Sequence, residues 1–156
     1  MGAGKTRIGK RVAKLLDVPF VDTDKRIVAE VGPIPAIFAE HGEAHFRTLE
    51  RKAVAAALSE RAVVSLGGGA PMDSDTHRLL LHQNVALLTI TKEAVASRIL
   101  GEGRPMLTAG ITSWIELTEK RMPVYSELAS HTWDTSTRPA EHIAQEIADW
   151  ATERDS

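Results

Sequence analysis

Gly2-Ala3-Gly4-Lys5-Thr6 opens the chain and constrains it most. It matches the end of the pattern G-x-x-x-x-G-K-[ST], a loop that wraps nucleotide phosphates. Glycines let successive backbone N–H groups turn toward the anion. Lys5 places a point charge near the β- and γ-phosphates, and Thr6 offers a hydroxyl to Mg²⁺. The helix that follows aims the positive end of its dipole at the same charges. The first glycine of the pattern would fall ahead of Met1, and the apolar strand that should feed the loop is missing from these 156 residues. A start assigned late is the expected reason. A sheet without that strand would expose two edges. Taken alone, Gly-Lys-Thr also suits a solvated N-terminal turn, so the remaining residues have to decide.

Strands and helices alternate behind the loop. Ile8, Val12, Leu15 and Leu16 fall at i, i+4, i+7 and i+8, one face of a helix. Pro19-Phe20-Val21 reads as a short buried strand ending at Asp22-Thr23-Asp24. Lys25 to Leu58 is helical in period, broken around Gly32-Pro33 and Gly42. Ala62 to Leu66 is a second strand that runs into Gly67-Gly68-Gly69. Asp73 to Leu81 reads as helix, Val85 to Ile90 as strand and Lys92 to Leu100 as helix. A polar loop follows, and Thr112 or Ser113 is expected to cap the next helix. His131 to Asp134 is a weak last strand, and Pro139 to Ala151 a closing helix with proline in its first turn. The alternation implies a single α/β domain, residues 1–156, with a mostly parallel sheet covered on both faces. Ligands of such sheets sit at the carboxyl ends of the strands. That places Asp22-Thr23-Asp24 and Gly67-Gly68-Gly69 in one site with the phosphate loop.

Composition narrows the class of function. A net charge of −2 argues against nucleic-acid binding. The absence of cysteine excludes disulfides and thiolate metal sites. No apolar run reaches the roughly 18 residues that span a bilayer. No leader opens the chain, so the expected compartment is the cytoplasm.

Several residues carry chemistry. Asp22 and Asp24, two apart in an extended segment, are expected to share a face. One can hold a metal-bound water while the other takes a proton from a hydroxyl; both could equally be helix caps. Arg47 in Phe46-Arg47-Thr48-Leu49-Glu50 suits a clamp on a carboxylate steadied by Glu50, or a surface pair. Gly67, Gly68 and Gly69 suit close approach of backbone to a ligand. Arg104, in a lid loop at about 101–112, could be delivered to a transferring phosphoryl group. Arg121 lies at a helix end, and Arg98 and Arg138 could flank an adenine ring. His41 and His45 stand four apart with Gly42 between, which is not a zinc motif. The three tryptophans are expected to pack.

In order and spacing the set resembles shikimate kinase over nearly the whole chain: Gly-Ala-Gly-Lys-Thr, Asp-Thr-Asp, Phe-Arg-Thr-Leu-Glu, Ser-Leu-Gly-Gly-Gly, Arg-Pro-Met-Leu, Arg-Met-Pro-Val-Tyr and Ser-Thr-Arg-Pro. The resemblance implies a three-layer P-loop fold of the nucleoside-monophosphate-kinase kind, with a parallel sheet in the order 2-3-1-4-5. It implies transfer of the ATP γ-phosphoryl group to the 3-hydroxyl of shikimate, on the route to chorismate and the aromatic amino acids, by a monomer. Gly2 to Arg7, with Ala3 and Gly4 between, would wrap the ATP phosphates. Thr6 would bind Mg²⁺, and Asp22 would assist through water. Asp24 would hold the shikimate hydroxyls and act as base. Arg47 and Arg121 would clamp the carboxylate, with Gly67, Gly68 and Gly69 against the ring. Lys5 and Arg104 would serve the transferring phosphate, and Arg98 and Arg138 the adenine. A gluconate kinase on the same fold shares the phosphate loop but should lack the paired arginines and triple glycine. A non-catalytic nucleotide-binding module is the reading from another class.

Overall fold

The structure, a computed structural model, describes residues 3–101 and 108–155. Gly2 and Arg104 lie outside the described residues. The chain divides into two compact units, Gly9–Gln83 and Met1–Ile8 with Asn84–Ser156. Helix α1, Lys5–Leu16, begins in the second of these and ends in the first. Its buried stripe is Ile8, Val12 and Ala13, whereas Leu15, expected on that face, is 47% exposed. The buried stripe is i, i+4, i+5, with Ala13 buried in place of Leu15.

In the unit Gly9–Gln83, strand β1 (Phe20–Asp22) pairs in parallel with β2 (Val63–Ser65). The register sets Asp22 opposite Ser65, so the two carboxyl ends are level. Three helices connect them: α2 (Thr23–Val31), α3 (Ile34–His41) and α4 (Glu43–Leu58). The breaks at Gly32-Pro33 and Gly42 fall where the sequence puts them. Gly42 has φ 84, a left-handed conformation costly for any residue with a Cβ, and its N–H closes α3 on the Phe38 carbonyl. Ile27, Ile37 and Phe46 form the shared core of these helices, with Ile34, Leu49 and Ala53 packed around it. That core fixes which face of α4 is turned outward. A 3₁₀ turn at Ala70–Met72 then leads to α5, Ser74–Leu80.

In the other unit, β3 (Ala86–Thr89) pairs in parallel with β4 (His131–Asp134), Leu88 lying opposite Trp133. Helices α6 (Lys92–Gly101), α7 (Thr108–Leu128) and α8 (Ala140–Arg154) accompany them. Helix α7 starts at Thr108, ahead of the expected Thr112 or Ser113, because Gly110 is tolerated inside a helix at modest cost. Ile143, Ala144, Ile147 and Ala148 bury one face of α8. Trp133 is buried and meets the edge of Trp150 at 5.3 Å, so these two tryptophans pack as expected.

With the strand expected ahead of the loop counted as the first, the ladders β1-β2 and β3-β4 are the neighbouring pairs 2-3 and 4-5 of the order 2-3-1-4-5. The fold is the P-loop α/β fold.

Candidate active site

The phosphate loop is built by local rules. Gly4 has φ 83, which turns the chain into α1, and its carbonyl accepts the Ile8 N–H at 2.9 Å. Lys5 and Thr6 therefore occupy the first turn, where helix N–H groups lack intrahelical acceptors and anions are favoured. Arg7 lies 3.7 Å from Glu141, but both side chains are largely exposed, so that pair adds little to stability.

Asp22 and Asp24 depart from expectation. They do not continue one extended segment, because α2 begins at Thr23. Asp22 is the N-cap and its Oδ1 accepts the Lys25 N–H at 3.1 Å. Asp24 sits in the first helical turn, so alternation along a strand does not govern where it points. Thr23 between them, which the sequence did not single out, is fully buried and donates from Oγ1 to the Ser65 carbonyl at 3.4 Å. This hydroxyl ties the head of α2 to the end of β2 and delivers Asp24 to the glycine run. A Cβ on Gly67 would stand 2.9 Å from Asp24 Oδ1 and 3.0 Å from Oδ2.

Arg47 is placed the same way. A Cβ on Gly69 would stand 2.7 Å from its Nη2 and 2.8 Å from its Nη1. Neither Gly67 nor Gly69 has a positive φ. The run is glycine because the protein's own carboxylate and guanidinium occupy the space a side chain would need. Arg47 donates from Nη1 to Glu50 Oε1 at 2.7 Å, and the Glu50 side chain is only 3% exposed. The i, i+3 pair is therefore no surface pair.

Burial raises the Glu50 carboxyl above its ordinary value, the Arg47 hydrogen bond and charge oppose this, and Asp24 and Asp73 add to it. The folded state thus holds a proton that the unfolded chain would release. That contribution to stability is present at low pH and is lost as the pH rises through the window above the ordinary value of about 4.3. Glu50→Gln is expected to remove this dependence. Thermal melts across that window should fall for the parent from this cause and stay level for the variant; parallel curves would refute the assignment.

In the other unit, Thr135 is buried and its N–H and Oγ1 both donate to the Thr89 carbonyl, at 2.8 and 3.0 Å. Arg98 donates to the Thr135 carbonyl at 2.7 Å, so it lies beside the segment leading to Arg138. Arg138 itself pairs with Glu146 on α8. Arg121 is half-buried on α7. His41 and His45 face each other across the break between α3 and α4, with ring centroids 4.7 Å apart. Among the described residues no group of three histidine, aspartate or glutamate side chains is disposed to hold a metal ion.

One unit offers a helix end shaped for phosphates. The other holds a carboxylate and a braced arginine against a glycine loop. The class is a P-loop phosphotransferase with an alcohol acceptor. Residues 1–152 match the shikimate kinase family. A shikimate kinase from Salinispora tropica is 44% identical over 151 residues, covering 94% of this chain and 90% of the relative. One from Streptomyces coelicolor is 40% identical over 153 residues, covering 96% and 90%. A structure of shikimate kinase from Acinetobacter baumannii in complex with shikimate superposes with a TM-score of 0.84 at 33% identity, covering 99% of this chain and 89% of that one. The chain belongs to the shikimate kinase family.

Proposed function

We propose that this enzyme transfers the γ-phosphoryl group of ATP to the 3-hydroxyl of shikimate, giving shikimate 3-phosphate for aromatic amino acid synthesis. One observation carries the reading: Asp24 and Arg47 lie on alternate glycines of the same loop, at Gly67 and Gly69. An acceptor carrying both a hydroxyl and a carboxylate meets a base and a clamp there. Arg121, from α7, is the proposed second arm of the clamp, and Gly68 lies between the two occupied glycines. Lys5, with the backbone of Gly2 to Arg7, neutralises the β- and γ-phosphates. Arg104 is proposed to reach the transferring group from a lid, and Arg98 and Arg138 to border the adenine. Thr6 and, through water, Asp22 are the proposed holders of Mg²⁺, which supplies charge neutralisation at the phosphates. The support for Asp22 is that its cap uses only Oδ1. The enzyme is proposed to be a monomeric single domain working on ATP in the cytoplasm. A net charge of −2 supports a role without nucleic acid.

A coupled assay with shikimate and gluconate in parallel tests the reading. Turnover with shikimate is expected; turnover with gluconate alone would refute it. Arg121→Ala is expected to raise the shikimate KM by roughly tenfold or more with ATP affinity unchanged, since it removes a charge-assisted hydrogen bond. An unchanged shikimate KM would place the carboxylate elsewhere.

A further inference from the structure

Arg47 and Arg51 stand one helical turn apart on α4 and therefore share a face. Gly69 and Asp73 stand four residues apart on the segment across from them. Arg47 lies against Gly69, its Nη2 2.7 Å from where a Cβ would be. Arg51 grips Asp73, with Nη2 2.7 Å from Oδ1 and Nε 3.2 and 3.1 Å from the two oxygens. The segment between is a stiff link. Ala70, Met72 and Asp73 N–H groups donate to the carbonyls of Gly67, Gly69 and Ala70 at 3.1, 3.1 and 3.2 Å. Ala70 and Pro71 are buried within it. Asp73 is also the N-cap of α5, accepting the Thr76 N–H at 3.0 Å. The Arg51 hydrogen bond comes first among the causes that hold the Asp73 carboxyl far below the usual carboxylate range, and Thr76 helps, so the pair stays charged at neutral pH. Its contribution to stability is present above the unfolded value and is lost only as the pH falls toward the depressed one.

The pair is poorly placed to add much stability, because Arg51 is 40% exposed. Its planar fork instead fixes geometry in two directions. We propose that Arg51 and Asp73 form a strut that sets the depth of the Gly69 turn against Arg47, and so act as positioning residues for the acceptor carboxylate. This rests on the reading of Arg47 as the clamp. Without the strut the glycine turn can lift from α4, and Arg47 loses the surface that aims it.

Arg51→Met keeps the aliphatic stem and loses the fork. Asp73→Asn keeps a good helix cap and loses the charge. Steady-state kinetics of the parent, both variants and the double variant, with melting curves for each, test the proposal. Both single variants should raise the shikimate KM about tenfold, with kcat and the ATP KM within about twofold of the parent, as misplacement of a ground-state contact predicts. The double variant should be no worse than Arg51→Met, because both single variants break the contact of Arg51 with Asp73 and Arg51→Met also removes the 3.6 Å pair of Arg51 with Asp75. Arg51→Lys should fall between parent and Arg51→Met. An unchanged shikimate KM in both single variants overturns the strut. So does a parallel loss of shikimate affinity, ATP affinity and kcat with a lowered Tm, or a failure of both to fold, since each marks a merely structural pair. A parent that neither phosphorylates shikimate nor binds it in calorimetry would overturn the acceptor reading and the strut with it.

Discussion

Asp24→Asn is expected to lower kcat by about three orders of magnitude, the middle of the range for a lost general base, while ATP binding stays close to that of the parent. Thr23 locks the head of α2 to Ser65, which brings the Asp24 carboxylate onto Gly67, and Oδ1 is sealed from solvent. Asparagine has the same shape and can still accept a hydrogen bond from a hydroxyl, so the acceptor should still be held. It cannot take the proton. The loss should therefore appear in kcat and in kcat/KM together, with little change in the shikimate KM. ATP affinity, measured by nucleotide titration, is the control, because the proposed nucleotide contacts come from other residues. Activity within a few-fold of the parent would show that Asp24 orients the hydroxyl and nothing more. A second readout guards against a folding defect. The substitution replaces one carboxylate facing buried Glu50 by a neutral amide, and Asp24 is among the charges that push the Glu50 proton affinity up. The variant should thus be no less stable than the parent.

How much of this could be read without coordinates depends on the range over which each feature is determined. The phosphate loop was legible because four or five consecutive residues define it: a glycine that turns, then a lysine and a threonine in the first helical turn. The helix breaks at Gly32-Pro33 and Gly42 were legible for the same reason. The Asp22-Thr23-Asp24 segment was read as one extended run, and its geometry differs. Alternation along a strand holds only while the strand continues, and Asp22 ends it by capping α2. Thr23 was passed over because a buried hydroxyl bridging residues 42 apart leaves no local mark. Arg51 and Asp73, 22 apart, were invisible for that reason, although Asp73 ahead of Ser74-Asp75 has the form of a cap. Arg47 with Glu50 was visible as a spacing, but spacing cannot distinguish a surface pair from one whose carboxylate is buried. Only the packing of Ile27, Ile37 and Phe46, which fixes the roll of α4, does that.

The glycine run separates the two roles most directly. Alanine at position 69 would put its Cβ 2.7 to 3.0 Å from three atoms of the Arg47 guanidinium, closer than real Cβ contacts allow. The guanidinium is the far end of a flexible side chain, so it, rather than the backbone, should yield. Neither the fold nor φ opposes the change, because position 69 has φ −88. Gly69→Ala is therefore expected to melt near the parent, within about 1 kcal/mol as for a tolerated surface-type change, yet to raise the shikimate KM by about a hundredfold, since a displacement near 1 Å costs that much. Gly67→Ala meets Asp24 instead, at 2.9 to 3.2 Å, and displaces the proposed base. Its main effect should be a fall in kcat of about a hundredfold by the same displacement argument. The two alanines thus sit two residues apart on one loop and should damage different kinetic constants. Kinetics with shikimate varied at saturating ATP decide it. If both variants lose kcat and KM in equal proportion, the run serves ligand approach as a unit, and the assignment of Gly67 to the base and Gly69 to the clamp is wrong.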